Sequence, residues 1–159
     1  METKRKKTEM LGIIIREGTP FDIEEMTLLL EELFTVEEDF SCDRKKQRDG
    51  LRLMLDNGET RCVMVAELNC QVIGMCTVQV LISTAEGGEV GLIEDMVVKK
   101  AYRGKGIGTA LLWAIEKWAH NRGLLRLQLL ADRDNFTALA FYKKLQWAPT
   151  QLICLRRKA

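Results

Sequence analysis

The chain has 159 residues, of which 30% are charged and 47% hydrophobic, and its formal net charge at pH 7 is +1. This length predicts one domain with a substantial core, and the composition is that of an ordinary globular protein. The small net charge gives no reason to expect nucleic-acid binding. No apolar run reaches the roughly 18 residues of a membrane span, and nothing after Met1 resembles a signal peptide, so no membrane partner is expected either.

Cysteine usage predicts a reducing environment. The five cysteines are odd in number, contain no Cys-x-x-Cys pair and share the chain with a single histidine, His120. They therefore form no metal-ligand cluster, and we expect no metal. Reduced cysteine in apolar, strand-like stretches behaves as a small hydrophobic residue, which favours a cytoplasmic location. The cysteines are Cys42, Cys62, Cys70, Cys76 and Cys154.

The first part of the chain predicts a strand and two helices. Residues 1–10 are expected to be a flexible N-terminus, which leaves 11–159 as the single domain. Gly12 to Arg16 predicts the first strand. Thr19-Pro20 predicts a helix start, with Thr at the N-cap and Pro at the first helical position. A second helix is expected from about Ser41, covering Leu51 to Leu55 and closed by Asn57-Gly58.

The middle of the chain predicts three strands. Cys62 to Glu67 and Val72 to Leu81 are expected to form a hairpin, with Asn69-Cys70 as its turn. After a loop at Gly87-Gly88, Val90 to Val98 predicts another strand. The order of elements so far favours an α/β domain with a largely antiparallel front half.

The last third predicts helix, strand, helix and strand. Apolar residues from Ile107 to Trp118 share one helical face, and Arg122-Gly123 ends that helix. Leu125 to Leu129 predicts a strand, Asn135 to Leu145 a helix, and Trp147 to Leu155 a final strand. The complete predicted order is β-α-α-β-β-β-α-β-α-β.

A glycine-rich stretch, Arg103-Gly104-Lys105-Gly106-Ile107-Gly108, lies between an apolar strand and an amphipathic helix. Alternate glycines let the backbone approach a ligand closely, and the helix N-terminus adds N–H groups and positive potential, which suits a phosphate or pyrophosphate. The alternative is a structural turn that starts the helix and binds no ligand. A P-loop would need Ser or Thr after Gly104-Lys105, and the dinucleotide fingerprint has a different spacing and place, so neither fits.

Two blocks of this chain resemble the GNAT family of N-acetyltransferases. Ile93-Glu94-Asp95-Met96-Val97-Val98 followed by Tyr102 to Gly108 resembles the acetyl-CoA-binding segment, whose Gln/Arg-x-x-Gly-x-Gly/Ala pattern falls on Arg103, Gly106 and Gly108. A second family block is matched by Asn135, Ala138, Phe141-Tyr142 and Leu145. The order of elements is similar over nearly the whole chain. The resemblance therefore implies the GNAT acyl-CoA N-acyltransferase fold, a mixed, mostly antiparallel sheet flanked by helices.

The resemblance also implies which residues bind acetyl-CoA as a co-substrate. The N–H groups of the glycine-rich loop would cradle the pyrophosphate. The strand holding Met96 to Val98 would splay from its neighbour and pair with the pantetheine arm, and an N–H near Val97 would donate to the thioester oxygen. Asn135 would contact the cofactor, although an N-cap role competes. The implied cofactor-binding residues are Met96, Val97, Val98, Arg103, Gly104, Lys105, Gly106, Ile107, Gly108, Thr109 and Asn135.

Two residues are the candidate catalytic groups. Tyr142 matches the family's usual general acid, because a phenol can protonate a departing thiolate; the alternative is a core aromatic. Glu94 is the candidate general base for the protonated amine, because a carboxylate inside an apolar strand suits that task. Its alternative is a structural carboxylate. Asp95 ranks behind Glu94, since strand alternation is expected to turn it to the opposite face.

The function that the resemblance implies is transfer of the acetyl group of acetyl-CoA to a primary amine by direct attack, without a covalent enzyme intermediate. No Cys–His arrangement supports a ping-pong route. The acceptor is expected to be a small-molecule or peptide amine, and a homodimer is left open. A non-catalytic acyl-CoA sensor and a plain nucleotide-phosphate-binding protein are the alternatives. An acidic stretch would attract a cationic amine or simply form a solvated helix face: Glu31, Glu32, Glu37, Glu38 and Asp39.

Overall fold

A computed structural model describes residues 12–35 and 42–157 of the chain. The predicted N-terminal segment, the helix start at Ser41 and acidic residues 37–39 lie outside the described residues. The chain divides into two compact units between Gln128 and Leu129. The single domain over 11–159 stays a prediction, and each unit is described by itself.

The regular elements follow the predicted order from the first strand to the last helix. They are β1 (Ile14–Glu17), α1 (Ile23–Phe34), α2 (Arg44–Asp56), β2 (Arg61–Leu68), β3 (Gln71–Ser83), β4 (Gly88–Val98), α3 (Ile107–Asn121), β5 (Leu127–Leu129) and α4 (Phe136–Lys144). Short 3-10 turns cover Pro20–Asp22 and Lys100–Tyr102. The strands form one sheet in the order β1-β2-β3-β4-β5, and β1 to β4 pair antiparallel. The predicted mixed, mostly antiparallel α/β fold is confirmed.

The predicted final strand, Trp147 to Leu155, is wrong. Within the described residues after α4, the chain from 147 to 157 has no strand, and Leu152, Ile153 and Leu155 are exposed. An apolar run with strand propensity becomes a strand only where a neighbour accepts its ladder hydrogen bonds, and propensity alone does not provide that neighbour.

The hairpin between β2 and β3 forms as predicted. Asn69 and Cys70 both have positive φ, at 50° and 61°, which is the backbone of a two-residue type I′ turn. Leu68 pairs with Gln71 across this turn, and the register it sets runs along both strands with one irregularity at Ala66/Glu67. The turn thereby fixes which residues of β3 stand beside β4.

The sheet of the first unit is covered on both faces. Five consecutive residues of β2, from Cys62 to Ala66, are buried, as expected for a strand with helices on either side. One face packs against α1 and α2 in a cluster that includes Met26, Leu29, Val65 and Met75. The helix α3 also packs on β2 and β3 and buries its own apolar stripe. That stripe comprises Ile107, Leu111, Leu112, Ile115, Trp118 and Ala119.

A charged network fixes the start of α1. Asp22 is buried, and its carboxylate accepts two hydrogen bonds from Arg16 at 2.8 Å and one from the Thr19 N–H at 2.7 Å. These bonds, with the Arg16 guanidinium first, lower the pKa of Asp22 to about 2. Because this pKa is lowered in the folded state, its stabilising contribution is present near neutral pH and is lost as pH falls from about 4 to about 2. The helix that carries Glu31 and Glu32 is therefore anchored at its first turn.

Candidate functional site

A β-bulge in β4 places two carboxylates side by side. Cys76 pairs with Met96 and Val78 pairs with Ile93, so that the single residue Thr77 on β3 faces both Glu94 and Asp95 on β4. An extra residue on one strand interrupts the in-out alternation and bends the strand locally. The bulge lies within the segment that the sequence singled out.

Asp95 is fixed to the bulge by a buried hydroxyl. The Asp95 N–H donates to Thr77 Oγ1 at 3.0 Å, and the same hydroxyl donates to Asp95 Oδ2 at 3.2 Å. Thr77 is 1% exposed, so its hydroxyl has little access to water and its two partners are held firmly. Thr77 therefore acts as a clamp on the extra residue of the bulge.

Glu94 has a more open environment than the sequence suggested. It is exposed rather than enclosed by the apolar strand, and its Oε2 accepts a hydrogen bond from Gln79 Nε2 at 3.0 Å. Thr77 and Gln79 are two residues apart on β3 and so share a face. Since they bind Asp95 and Glu94 respectively, the two carboxylates lie on the same face. The expectation that Asp95 turns to the opposite face is wrong, because the bulge breaks the alternation.

The register also fixes the direction of the backbone groups after the bulge. The Lys99 N–H donates to the Ile73 carbonyl at 2.9 Å, which makes this pair, and the Val97–Met75 pair two residues earlier, hydrogen-bonded pairs of the antiparallel ladder. The Val97 N–H therefore points to β3. The backbone groups of Met96 and Val98 point away from β3, so Met96 is the better-directed donor in this segment.

The glycine-rich loop forms the turn into α3. Gly104 and Gly106 have φ of 75° and 89°, a conformation that other residues adopt with strain, and Gly106 is the N-cap of the helix. A Cβ built on Gly104 would meet nothing within 4 Å, so space above this part of the loop is open. The first intrahelical bond is from the Ala110 N–H to the Gly106 carbonyl, which leaves the N–H groups of residues 107–109 without a partner inside the helix. This geometry fits a pyrophosphate.

The side chain of Arg103 makes hydrogen bonds within the protein. Its Nε donates to the Val98 carbonyl and its Nη2 to Glu32 Oε1 on α1, both at 2.8 Å. Glu32 Oε1 also accepts the Lys100 N–H at 2.8 Å. Next along the loop, the Lys105 ammonium lies 5.0 Å from the centre of the Tyr102 ring, within cation–π range. The loop thus offers backbone donors to a ligand while its arginine secures the loop.

The second unit holds the other two predicted residues. Asn135 is the N-cap of α4, and its Oδ1 accepts the Ala138 N–H at 3.0 Å, so the competing N-cap role is present. Tyr142 is partly buried on α4, with its ring in edge contact with Phe141 at 5.2 Å and 6.2 Å from Trp147. These neighbours fix the ring plane of Tyr142. Its role as an acid stays a prediction.

Two acidic residues near the end of α1, Glu31 and Glu32, are each paired with an arginine. Glu31 binds Arg44 of α2 through both of its carboxylate oxygens, one of them at 3.0 Å from Nη2, and Glu32 binds Arg103. Each carboxylate therefore already has a positively charged partner within the protein. The sequence did not reveal these pairings, and it also missed Thr77 and Gln79, whose only signal was two polar residues alternating with valines in a strand.

The two cysteines in the sheet, Cys62 and Cys76, are buried. Cys76 is fully buried, and burial first and Asp95 second raise the pKa of its thiol. Burial raises the pKa of Cys62 to about 12.

Among the described residues, no three His, Cys, Asp or Glu side chains are grouped to hold a metal ion. In the same part of the chain, no helix is long and apolar enough to cross a membrane.

Comparison with known families gives a match over most of the chain. Residues 23–147 match the model of the acetyltransferase (GNAT) family. An uncharacterized N-acetyltransferase of Archaeoglobus fulgidus is 27% identical over 129 residues, which cover 80% of this chain and 88% of the relative. Among the first curated relatives, the matched part spans between 24% and 88% of the relative's own length.

Solved structures with the same fold are numerous. A possible acetyltransferase from Clostridium difficile 630 superimposes with a TM-score of 0.80 at 20% identity, covering 92% of this chain and 97% of that one. The aminoglycoside N-acetyltransferase AAC(6')-Iy in complex with CoA gives a TM-score of 0.79 at 16% identity, covering 92% and 94%. At these identities the likeness concerns the fold.

Proposed function

Because the chain belongs to the acetyltransferase (GNAT) family and is an acetyl-CoA-dependent acyltransferase, we propose that it transfers acetyl to a primary amine of a small molecule or peptide by direct attack. The observation that carries this proposal is the arrangement along β4 and α3. Two carboxylates at a bulge are followed, within one strand-to-helix connection, by a positive-φ glycine turn and by helix N–H groups that have no partner inside the helix. The first feature suits an amine and the second a pyrophosphate.

The residues of the loop would hold acetyl-CoA chiefly through their backbone. The N–H groups of residues 107–109 have no partner inside the helix, the space at Gly104 is open, and the α3 N-terminus adds a favourable potential for an anion. Lys105 adds a positive charge beside them. When bound, acetyl-CoA supplies an activated acetyl thioester. The Met96 N–H, which points away from β3, is the donor we assign to the acetyl oxygen.

Proton movements are assigned to Glu94 and Tyr142. An amine is protonated at neutral pH and must lose a proton before it can attack a carbonyl carbon. Glu94, exposed and oriented by Gln79, accepts this proton at its carboxylate, directly or through water. The Tyr142 hydroxyl returns a proton to the departing sulfur. The ammonium nitrogen loses two protons on becoming an amide, one to Glu94 before attack and a second as the C–N bond forms and the C–S bond breaks. One proton goes to the sulfur by way of Tyr142 and the other leaves to water, so the step balances.

The two cysteines in the sheet are poor candidates for the acyl-enzyme of a ping-pong route. A covalent acyl-enzyme would need a reactive thiolate, whose formation requires a low pKa and access to substrate. The two cysteines in the sheet, Cys62 and Cys76, have raised pKa values and are buried. A thiol that stays protonated inside the core does not attack the acetyl carbon.

The test of this function is turnover of acetyl-CoA against a panel of amines, followed as free thiol released. The panel includes aminoglycosides, because AAC(6')-Iy, a fold relative, is an aminoglycoside N-acetyltransferase. The alternative, a non-catalytic acyl-CoA sensor, predicts that CoA raises the melting temperature while no amine stimulates thiol release. Amine-dependent thiol release excludes the sensor.

Tyr142→Phe separates the two functions more sharply. We expect kcat to fall roughly 100-fold, as is typical when a general acid is lost, while CoA affinity stays within a few-fold. The phenylalanine ring preserves the contacts with Phe141 and Trp147, and the melting temperature of the free protein is measured beside kcat as a check on folding. Unchanged kcat would return Tyr142 to a packing role.

A further inference from the structure

The segment between β4 and α3 is hydrogen-bonded to α1, a helix much earlier in the chain. Glu32 lies in the last turn of α1, and its Oε1 accepts hydrogen bonds from the Arg103 guanidinium and the Lys100 N–H, each at 2.8 Å. Both donors lie in the connection that leads to the glycine turn. The carboxylate is partly shielded, with 32% of the side chain exposed.

Arg103 extends this tie to the end of β4. While Nη2 binds Glu32, Nε donates to the Val98 carbonyl at 2.8 Å. The Tyr102 N–H donates to the Lys99 carbonyl at 2.8 Å, which tightens the turn between these anchors. The chain that enters the glycine turn is therefore fixed at the strand end and at α1, and Glu32 is common to the contacts with α1.

We propose that Glu32 is a positioning residue for the cofactor loop, holding Arg103 and Lys100 so that the N–H groups of residues 104–109 keep the arrangement that binds CoA. The inference rests on the proposed function of that loop. It assigns an acidic residue a favourable role in binding a polyanion. Arg103 then acts through the loop backbone rather than as a direct phosphate ligand.

The sign of one substitution tests the proposal. By charge alone, removal of a carboxylate near an anion-binding loop should tighten CoA binding, because a repulsion is removed. If Glu32 positions the loop, Glu32→Ala should weaken CoA binding about fivefold, the upper range for a partly exposed ionic contact. Calorimetric titration with CoA measures the change directly.

Glu31 offers a matched control on the neighbouring position. Glu31→Ala removes the same charge from α1 but breaks a pair with Arg44 of α2 instead of a contact with the loop. CoA affinity of that variant should stay within twofold of wild type. An equal loss in both variants would overturn the proposal, since a general change in α1 would then explain the result.

Two further variants separate position from charge. Glu32→Gln keeps an oxygen acceptor but loses the charge, so positioning predicts an affinity closer to wild type than to Glu32→Ala, whereas charge predicts that both behave alike. Glu32→Asp keeps the charge but withdraws the carboxylate by one methylene. Positioning predicts weaker CoA binding for the aspartate variant, and this comparison remains available if the alanine variant fails to fold.

A double variant and steady-state kinetics complete the test. In an Arg103→Ala background, Glu32→Ala should cause a smaller further loss than it does in wild type, because the Arg103 contact is already absent and only the Lys100 contact is left to lose. In Glu32→Ala, KM for acetyl-CoA should rise while kcat and KM for the amine stay near wild type. If the wild type fails to bind CoA, the proposed function itself fails. If it binds and Glu32→Ala binds equally or more tightly, only the positioning role is overturned.

Discussion

The glycine-rich loop and the bulge of β4 lie close together in the chain but are built in different ways. The loop presents backbone N–H groups, and its one arginine is used to secure it. The bulge presents side-chain carboxylates, each held by a polar residue of β3. A change of side chain should therefore matter most at the bulge, and a change of backbone freedom should matter most in the loop.

The largest expected effect is in the loop. Gly106→Glu places a side chain with a negative charge at the N-cap of α3, at a φ of 89° that non-glycine residues adopt with strain. We expect no rise of melting temperature with CoA and no measurable turnover. Thermal shift over a CoA titration gives the readout.

Gly87→Glu controls for strain and charge. Gly87 has a similar φ of 70° in the turn before β4, and a Cβ there would meet nothing within 4 Å. This variant should lose some stability but keep its CoA response. A normal CoA response in Gly106→Glu would remove the loop from the cofactor site.

The second effect concerns the bulge and is expected in catalysis with little change in CoA binding. Glu94→Gln should lower kcat/KM for the amine by about 100-fold at low pH, the scale of a lost general base, and by less as pH rises. The sign follows from the amine: at higher pH more of it is already neutral and needs no base. A pH–rate profile at saturating acetyl-CoA measures this difference.

Glu89→Gln is the matched control for Glu94→Gln. It removes the same charge from an exposed position earlier in β4. Its profile should coincide with that of wild type. If Glu94→Gln shows only a small offset that is independent of pH, Glu94 positions the acceptor, and Asp95, a water chain or a backbone carbonyl becomes the candidate base.

Local signals predicted the loop well and the bulge poorly. Alternate glycines before an apolar helical stripe specify a turn and a helix start from adjacent residues alone, and Gly106 is the N-cap. The bulge depends on how β3 and β4 align, and Thr77 meets Asp95 across 18 positions of sequence. Period-2 alternation cannot reveal an inserted residue, and for that reason it predicts the wrong face for Asp95.

Long-range pairing also explains the other differences. Glu32 and Arg103 are separated by 71 positions, and the sequence around Glu32 gives no indication of that partner. The segment from Trp147 to Leu155 has strand propensity, yet the structure forms no strand there. Sequence patterns thus predicted elements and their caps, while contacts between distant elements required the structure.

The smallest expected effect tests whether the Thr77 hydroxyl holds the bulge. Thr77→Val removes the group that accepts the Asp95 N–H and donates to its carboxylate, with little change of shape. We expect about 1 kcal/mol lower free energy of unfolding, the usual cost of losing a buried hydrogen bond. We also expect kcat to fall severalfold with KM for acetyl-CoA unchanged, because the disturbance lies at the carboxylates rather than the loop. Thr77→Ser restores the hydroxyl and should recover most of kcat.

A second buried threonine distinguishes lost stability from lost positioning. Thr27 is also 1% exposed, and its hydroxyl donates to the Ile23 carbonyl within α1, away from the bulge. Thr27→Val should lower the free energy of unfolding by the same amount as Thr77→Val or by less. Its kcat should stay near wild type. Equal kcat in Thr77→Val and Thr27→Val would show that the hydroxyl does not affect catalysis. A lower kcat in Thr77→Val alone, recovered by Thr77→Ser, would show that side chains at the bulge are held from β3, in contrast to the backbone donors of the loop.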